Sequence, residues 1–253
     1  LGKVISENLR TLFWALLIAV LFRTLLFQPF FIPSGSMKDT LLIGDFMFVN
    51  KFAYGYSRHS CPFSLCVFLP DRILATEPER GDIVVFSHPV TGQSYIKRLI
   101  GLPGDRIQVE DGRLTINDVA VPQTEVDAFI EPYRLQGRAG GFPRCTERLQ
   151  GGETCAKKRF REILPNSVSY TVLDIHADLD TPKVFRVPPG EYFFMGDNRD
   201  NSLDSRVYRA EGGVGTVPFE NFVGRADRVI FSAAGKSLFY VWTWRPDRFF
   251  KAI

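Results

Sequence analysis

The pattern of hydrophobic and polar positions changes character once along the chain. Leu12 to Phe22 is an unbroken apolar run, followed by Arg23 and Thr24 and then by Leu25-Leu26-Phe27. With its flanks it reaches the length of about 17 to 20 residues that a membrane-spanning helix needs. Gln28 begins a polar exit and Pro29 stops the helix, so the pattern predicts an anchor over residues 11–28 behind a short stub, 1–10. Arg23 stands near the distal end, where its long stem can carry the charge to the headgroups. Lys3 and Arg10 precede the run and favour a cytoplasmic N-terminus, with the rest of the chain outside. A cleaved leader has the same basic start, but the residues from Arg23 to Phe31 contain no small-x-small site. The segment therefore reads as an uncleaved anchor.

Beyond it, short apolar or alternating runs bounded by turn residues replace the long apolar run. Asp45 to Asn50, Ile83 to Phe86, Tyr95 to Ile100, Tyr192 to Met195 and Arg228 to Phe231 read as strands bounded by Gly, Pro and Asp turns. Arg106 to Glu110 and Arg113 to Ile116 flank Asp111-Gly112, a pair that tolerates positive φ and signals a two-residue hairpin. No stretch after residue 35 sustains helical periodicity, so the expected class is mostly β. Residues from about Val119 to Arg186 break the pattern with Gly-rich and charged stretches before the chain returns at Val187-Pro188-Pro189-Gly190. The expected organisation is a β-sheet main body over 29–105 and 188–234. An inserted second β-rich lobe occupies 106–187, and an aromatic C-terminal segment covers 235–253.

Composition narrows the classes. A net charge of +3, with no basic stripe interleaved with aromatics, argues against nucleic acid. Four cysteines fall in two close pairs, Cys61 with Cys66 and Cys145 with Cys155, neither with C-x-x-C spacing. Short separations in loop-like sequence suit disulfides in an oxidising compartment, against the alternative of free cytosolic thiols. There is no H-E-x-x-H, and the acidic spacing of a calcium loop is absent, so no metal or other cofactor is expected.

Three clusters could carry chemistry. Pro33-Ser34-Gly35-Ser36-Met37 follows the anchor and describes a tight turn that exposes a hydroxyl. A serine is a poor nucleophile without a base. Lys97 is a candidate base, because alternation puts it on one strand face with Tyr95 and Leu99, and desolvation by such neighbours lowers an amine's pKa. A solvated strand lysine beside Arg98 is the alternative. His59, His88 and His176 lie in no catalytic frame. The dense polar run from Gly196 to Arg206 could stiffen a neighbouring site through a network of its own hydrogen bonds.

Together these blocks resemble the bacterial type I signal peptidases. The resemblance rests on Ile32 to Met37, Gly44-Asp45, Lys51 to Gly55, Arg80 to Phe86, Tyr95 to Asp105, and the G-D-N-R-D-N-S-x-D-S-R run from Gly196 to Arg206, in the family's order. It implies a membrane-bound Ser-Lys endopeptidase that removes signal peptides after small-x-small (Ala-x-Ala) sites. Ser36 is then the nucleophile and Lys97 its general base, with Ser34 and the Ser36 N–H as oxyanion donors. Ser202 orients Lys97, and Asp204 and Arg206 support the site. Ile32, Pro33, Met37, Leu41, Tyr95 and Ile96 line the substrate pocket. The implied partners are preprotein signal peptides, the phospholipid membrane and the protein-translocation machinery. The implied location is the inner membrane, crossed once, with the catalytic domain on the periplasmic side. The family usually has a proline before Thr40, where this chain has Asp39. The rival readings are a Ser-Lys peptidase dedicated to one substrate, as in pilin processing, and a catalytically silent membrane-tethered assembly factor.

Overall fold

The computed structural model describes residues 2–60, 71–136, 140–174, 183–235 and 237–253. Among these residues one α-helix, α1 (Gly2–Leu25), leads into fourteen strands: β1 (Phe27–Phe31), β2 (Asp45–Asn50), β3 (Ile83–Ser87), β4 (Ser94–Gly101), β5 (Arg106–Glu110), β6 (Arg113–Ile116), β7 (Val119–Ala120), β8 (Gln123–Pro132), β9 (Thr154–Ile163), β10 (Ser169–Leu173), β11 (Lys183–Arg186), β12 (Glu191–Met195), β13 (Val217–Pro218) and β14 (Phe222–Ser232). The mostly β class expected from the alternation is what the chain forms.

A seven-stranded sheet runs in the order β1-β2-β14-β3-β4-β12-β13. A four-stranded sheet, β11-β5-β6-β7, and a three-stranded sheet, β10-β9-β8, use only residues between 106 and 186. The hairpin signal at Asp111-Gly112 is realised: both residues take positive φ, and Glu110 pairs with Arg113. The inserted strands share a core with the large sheet. Ile100, Phe193 and Met195 pack in one buried cluster with Ile107, Leu114, Tyr170, Val172 and Phe185. A second cluster lies under the segment between β1 and β2, where Ile32, Met37 and Leu41 meet Met47, Val49, Ile83 and Val85.

Three expectations change. The segment 11–28 is not one helix: α1 ends at Leu25, and Pro29 sits inside β1 opposite Phe48. An edge strand tolerates a proline because its missing N–H need not enter a ladder. Among the described residues no helix is long and apolar enough to cross a membrane, so the expected spanning helix is not borne out. The last strand is eleven residues long rather than four. Its register shifts twice against β2, and those irregularities break the alternation that would have announced it. Finally, the insert, expected to be β-rich but without placed strands, contains two ten-residue strands: β8 is largely exposed, and β9 buries Cys155, Lys157 and Glu162, so neither shows an apolar face.

Candidate active site

The turn that carries Ser36 is anchored by burial, with Gly35 to Lys38 buried in succession. Ile32 donates its N–H to Asp45 O at 2.9 Å, and Met37 and Leu41 are wholly buried in the cluster beneath. The polar loop holds the turn from the other side. Asn198 N–H donates to Ser36 O at 3.0 Å, and Asn198 Nδ2 donates to Gly35 O at 2.8 Å. Among the described residues the Ser36 N–H has no acceptor in the chain, and Ser34 is exposed beside it.

Lys97 comes from β4, opposite Val84 of β3. It is 4% exposed, and Ser36 is 8% exposed. Lys97 Nζ lies 2.7 Å from Ser36 Oγ and 3.0 Å from Ile96 O, with the Tyr95 ring centre 5.5 Å away. Burial pushes the amine down from its ordinary range to about 8, against the opposing pull of Asp204 and Asp197. Ser36 and Lys97, sixty-one residues apart, thus form a buried hydroxyl-amine pair.

The Gly196–Arg206 run supports this pair through buried charge. Asp204 is fully buried and accepts from Gly196 N–H at 2.9 Å and from Arg206 Nε and Nη2 at 2.9 and 3.0 Å. Burial alone would raise the Asp204 carboxyl, but Arg206 and these donors hold it below the usual carboxylate range. Asp197 takes a bidentate grip from Arg98, 2.8 and 2.7 Å, and accepts from Thr40 Oγ1 at 2.5 Å. Ser202 Oγ is buried near the Asp204 carboxyl and makes no hydrogen bond to Lys97. Gly196 is required by space, since a Cβ there would stand 2.2 Å from Ser202 Oγ and 2.6 Å from Ser36 O.

The residues expected to line a pocket divide. Ile32, Met37 and Leu41 belong to the core, while Pro33 is exposed and Tyr95 and Ile96 are half-buried. His88 accepts the N–H groups of Val90 and Thr91 and closes a turn, and His59 receives a hydrogen bond from Arg58 Nε. Cys145 and Cys155 form a disulfide; Cys61, Cys66 and His176 lie outside the described residues. A cavity of about 740 Å³ is lined by Arg98, Tyr170 and Asp39, among others, and contains neither Ser36 nor Lys97.

Several residues near the pair escaped the sequence reading. Asn198 and Asp197 lie in the polar run but had no assigned partner. Asp39, where the family usually has proline, accepts from Arg159 Nη1 at 3.1 Å and Thr171 Oγ1 at 2.8 Å, tying the turn to β9 and β10. Lys38 reaches Glu131 and Gln136 of the insert. All three connections join residues about a hundred or more positions apart, which no local pattern encodes.

Comparison with known proteins follows this geometry. Residues 5–231 match the family described as signal peptidase, peptidase S26. Signal peptidase I of Rickettsia typhi is 40% identical over 241 residues, covering 91% of this chain and 82% of its own. Signal peptidase I of Rickettsia akari is 44% identical over 217 residues, covering 85% and 75%. A crystal structure of a signal peptidase I from Enterococcus faecalis is 27% identical, covers 59% of this chain and 97% of its own, and superposes with a TM-score of 0.31.

Proposed function

Because the chain belongs to the signal peptidase family, peptidase S26, and is a serine endopeptidase that removes signal peptides, we propose that Ser36 and Lys97 perform the cleavage at a membrane surface. The observation that carries this is the 2.7 Å approach of a desolvated amine to the Ser36 hydroxyl.

Neutral Lys97 takes the proton of Ser36 Oγ as that oxygen attacks the scissile carbonyl. The carbonyl oxygen becomes an oxyanion beside the unengaged Ser36 N–H and the Ser34 hydroxyl, donors matched to a charge that exists only transiently. The Lys97 ammonium returns its proton to the departing amine. A water then attacks the Ser36 ester, with Lys97 again accepting the proton. Asp204, Arg206 and Ser202 act on Lys97 from behind, through field and packing. The half-buried walls of Tyr95 and Ile96, with Pro33, suit small side chains before the cut bond, as in Ala-x-Ala.

Membrane attachment is supported by exposed apolar surface. Leu12, Phe13, Trp14, Leu16, Ile18 and Val20 of α1 all stand exposed, as do Phe239 (89%) and Trp242 (77%) of the C-terminal segment. Apolar side chains exposed on this scale find their complement in lipid, and aromatic rings favour its interface. The catalytic residues then work outside the bilayer, on preproteins whose apolar signal holds the site nearby.

The test is cleavage of a preprotein with an Ala-x-Ala site by detergent-solubilised protein. The parent cuts after the second Ala, and Ser36→Ala and Lys97→Ala do not. Equal cutting by all three would remove both residues from the chemistry.

A further inference from the structure

The chemistry of Ser36 and Lys97 leaves one charged cavity beside the nucleophile turn unused. Lys38 runs back beneath the turn, so that a Cβ on Gly35 would stand 3.3 Å from Lys38 Cε. Its Nζ donates to Glu131 Oε2 and Gln136 Oε1, both at 2.6 Å, and Lys157 Nζ lies 2.6 Å from Glu131 Oε1. Against this cluster lies a cavity of about 250 Å³, lined among others by Lys38, Glu131, Arg134, Gln136 and Arg245.

The charges around it do not balance. Glu131 already answers two lysines. Arg134 is exposed and has no side-chain hydrogen bond or ion pair among the described residues. Arg245 donates to Ile43 O and Ser232 Oγ and lies 3.7 Å from Asp45, a carboxylate that Arg248 already grips with two bonds. Burial pushes the Arg245 guanidinium down, Asp45 and Asp247 oppose, and the like charges of Arg248 and Arg134 add to the depression. The cavity is therefore positive and short of acid. A second cavity of about 580 Å³ shares Arg134, Leu135, Ala234 and Arg245 and continues to Trp242. Together they form a groove leading away from the nucleophile turn.

We propose that this groove receives the substrate segment that follows the cut bond and holds an acidic side chain of that segment against Arg134 and Arg245. The inference rests on the peptidase reading above and adds to it a determinant of which preproteins are cut fast. Beside its apolar wall of Leu42, Ile43, Phe129 and Leu135 the groove presents Arg134 and Arg245, and an apolar signal segment has no carboxylate to answer them. The passenger segment can carry one, and that carboxylate completes charge-assisted hydrogen bonds that the chain leaves open. Lys38, on the groove wall, belongs to the same turn as Ser36, its N–H bonded to Gly35 O, so the carboxylate belongs within the first few positions after the cut.

The experiment is a preprotein series carrying Glu, Gln or Lys at each of those positions, cut by the parent, by Arg134→Glu and by Ser36→Ala. The parent prefers Glu over Lys at one position by about five- to tenfold in kcat/KM, and raised salt shrinks the preference. Arg134→Glu reverses the ratio at that position. A parent indifferent to the charge, or a ratio unchanged in Arg134→Glu, overturns the inference while leaving the peptidase reading intact. If the parent cuts no member of the series, the peptidase reading falls and this inference with it.

Discussion

Lys97 couples the chemistry of the site to its stability. As the proposed base it must be neutral, and its amine is pushed down to about 8. The kcat/KM of the parent should therefore rise with pH and level off above about 8, a limb read directly from rate measurements. The same shift has a sign for folding. Below about 8 Lys97 is protonated in both folded and unfolded chains, and the folded state bears the cost of a buried charge, roughly 3 kcal/mol by linkage. Between about 8 and the ordinary value of 10.5 the folded state sheds its proton first, and that cost disappears. Lys97→Met should accordingly be inactive yet more stable than the parent at pH 7, with an advantage that fades by pH 10.5. Denaturant titrations across this range check it, and a constant difference at all pH values would refute the assignment. At this scale the sequence already pointed to Lys97, because its strand neighbours on one face are Tyr95 and Leu99. It could not supply the 2.7 Å contact, which depends on where the Ser36 turn comes to rest.

Among the elements, the loop after β12 has the least freedom. Gly196 is where the Ser36 turn, Ser202 and the buried Asp204 crowd together, and Gly196 N–H is itself a donor to Asp204. Gly196→Ala inserts a methyl group where Ser202 Oγ and Ser36 O already stand, an overpacking that typically costs about 1–3 kcal/mol. The expected outcome is a modest fall in Tm with a much larger fall in kcat, since the turn must shift to admit the methyl. A loss of stability with kcat preserved would detach this loop from the catalytic geometry. The G-D-N-R run was visible as a self-bonding loop, yet its partners on the turn, Asn198 to Gly35 and Ser36, were not. Strands with one buried face were legible through their alternation. β8 and β9 were not, because β8 is largely exposed and the buried face of β9 carries Lys157 and Glu162 instead of an apolar row.

Across the whole molecule the inserted strands are welded to the large sheet. They share a buried apolar cluster with it, and the Arg199 guanidinium on the polar loop grips Glu162 of β9 through bonds of 3.0 and 2.5 Å, with Tyr170 OH donating to the same carboxylate at 2.5 Å. Breaking such a buried pair from one side costs about 3–5 kcal/mol, because the partner charge is left uncompensated. Glu162→Ala should lower the single unfolding transition, with tryptophan fluorescence and far-UV circular dichroism still coinciding. Two separated transitions would mean that the insert unfolds alone.

What the amino-acid order determined by itself is local in origin. It set the period of each one-sided strand, the Asp111-Gly112 hairpin, the apolar N-terminal helix, and the presence of a serine turn, a strand lysine and a polar loop in one chain. These follow from side-chain alternation and from backbone preferences that act over a few residues. The tertiary structure decided the rest: the end of α1 at Leu25, the burial of Met37 and Leu41 beneath the site, the depression of Lys97, and the positive groove beside Lys38. Each of these depends on desolvation or on charge brought together from distant parts of the chain. Such energies exist only after packing has removed the water between the groups.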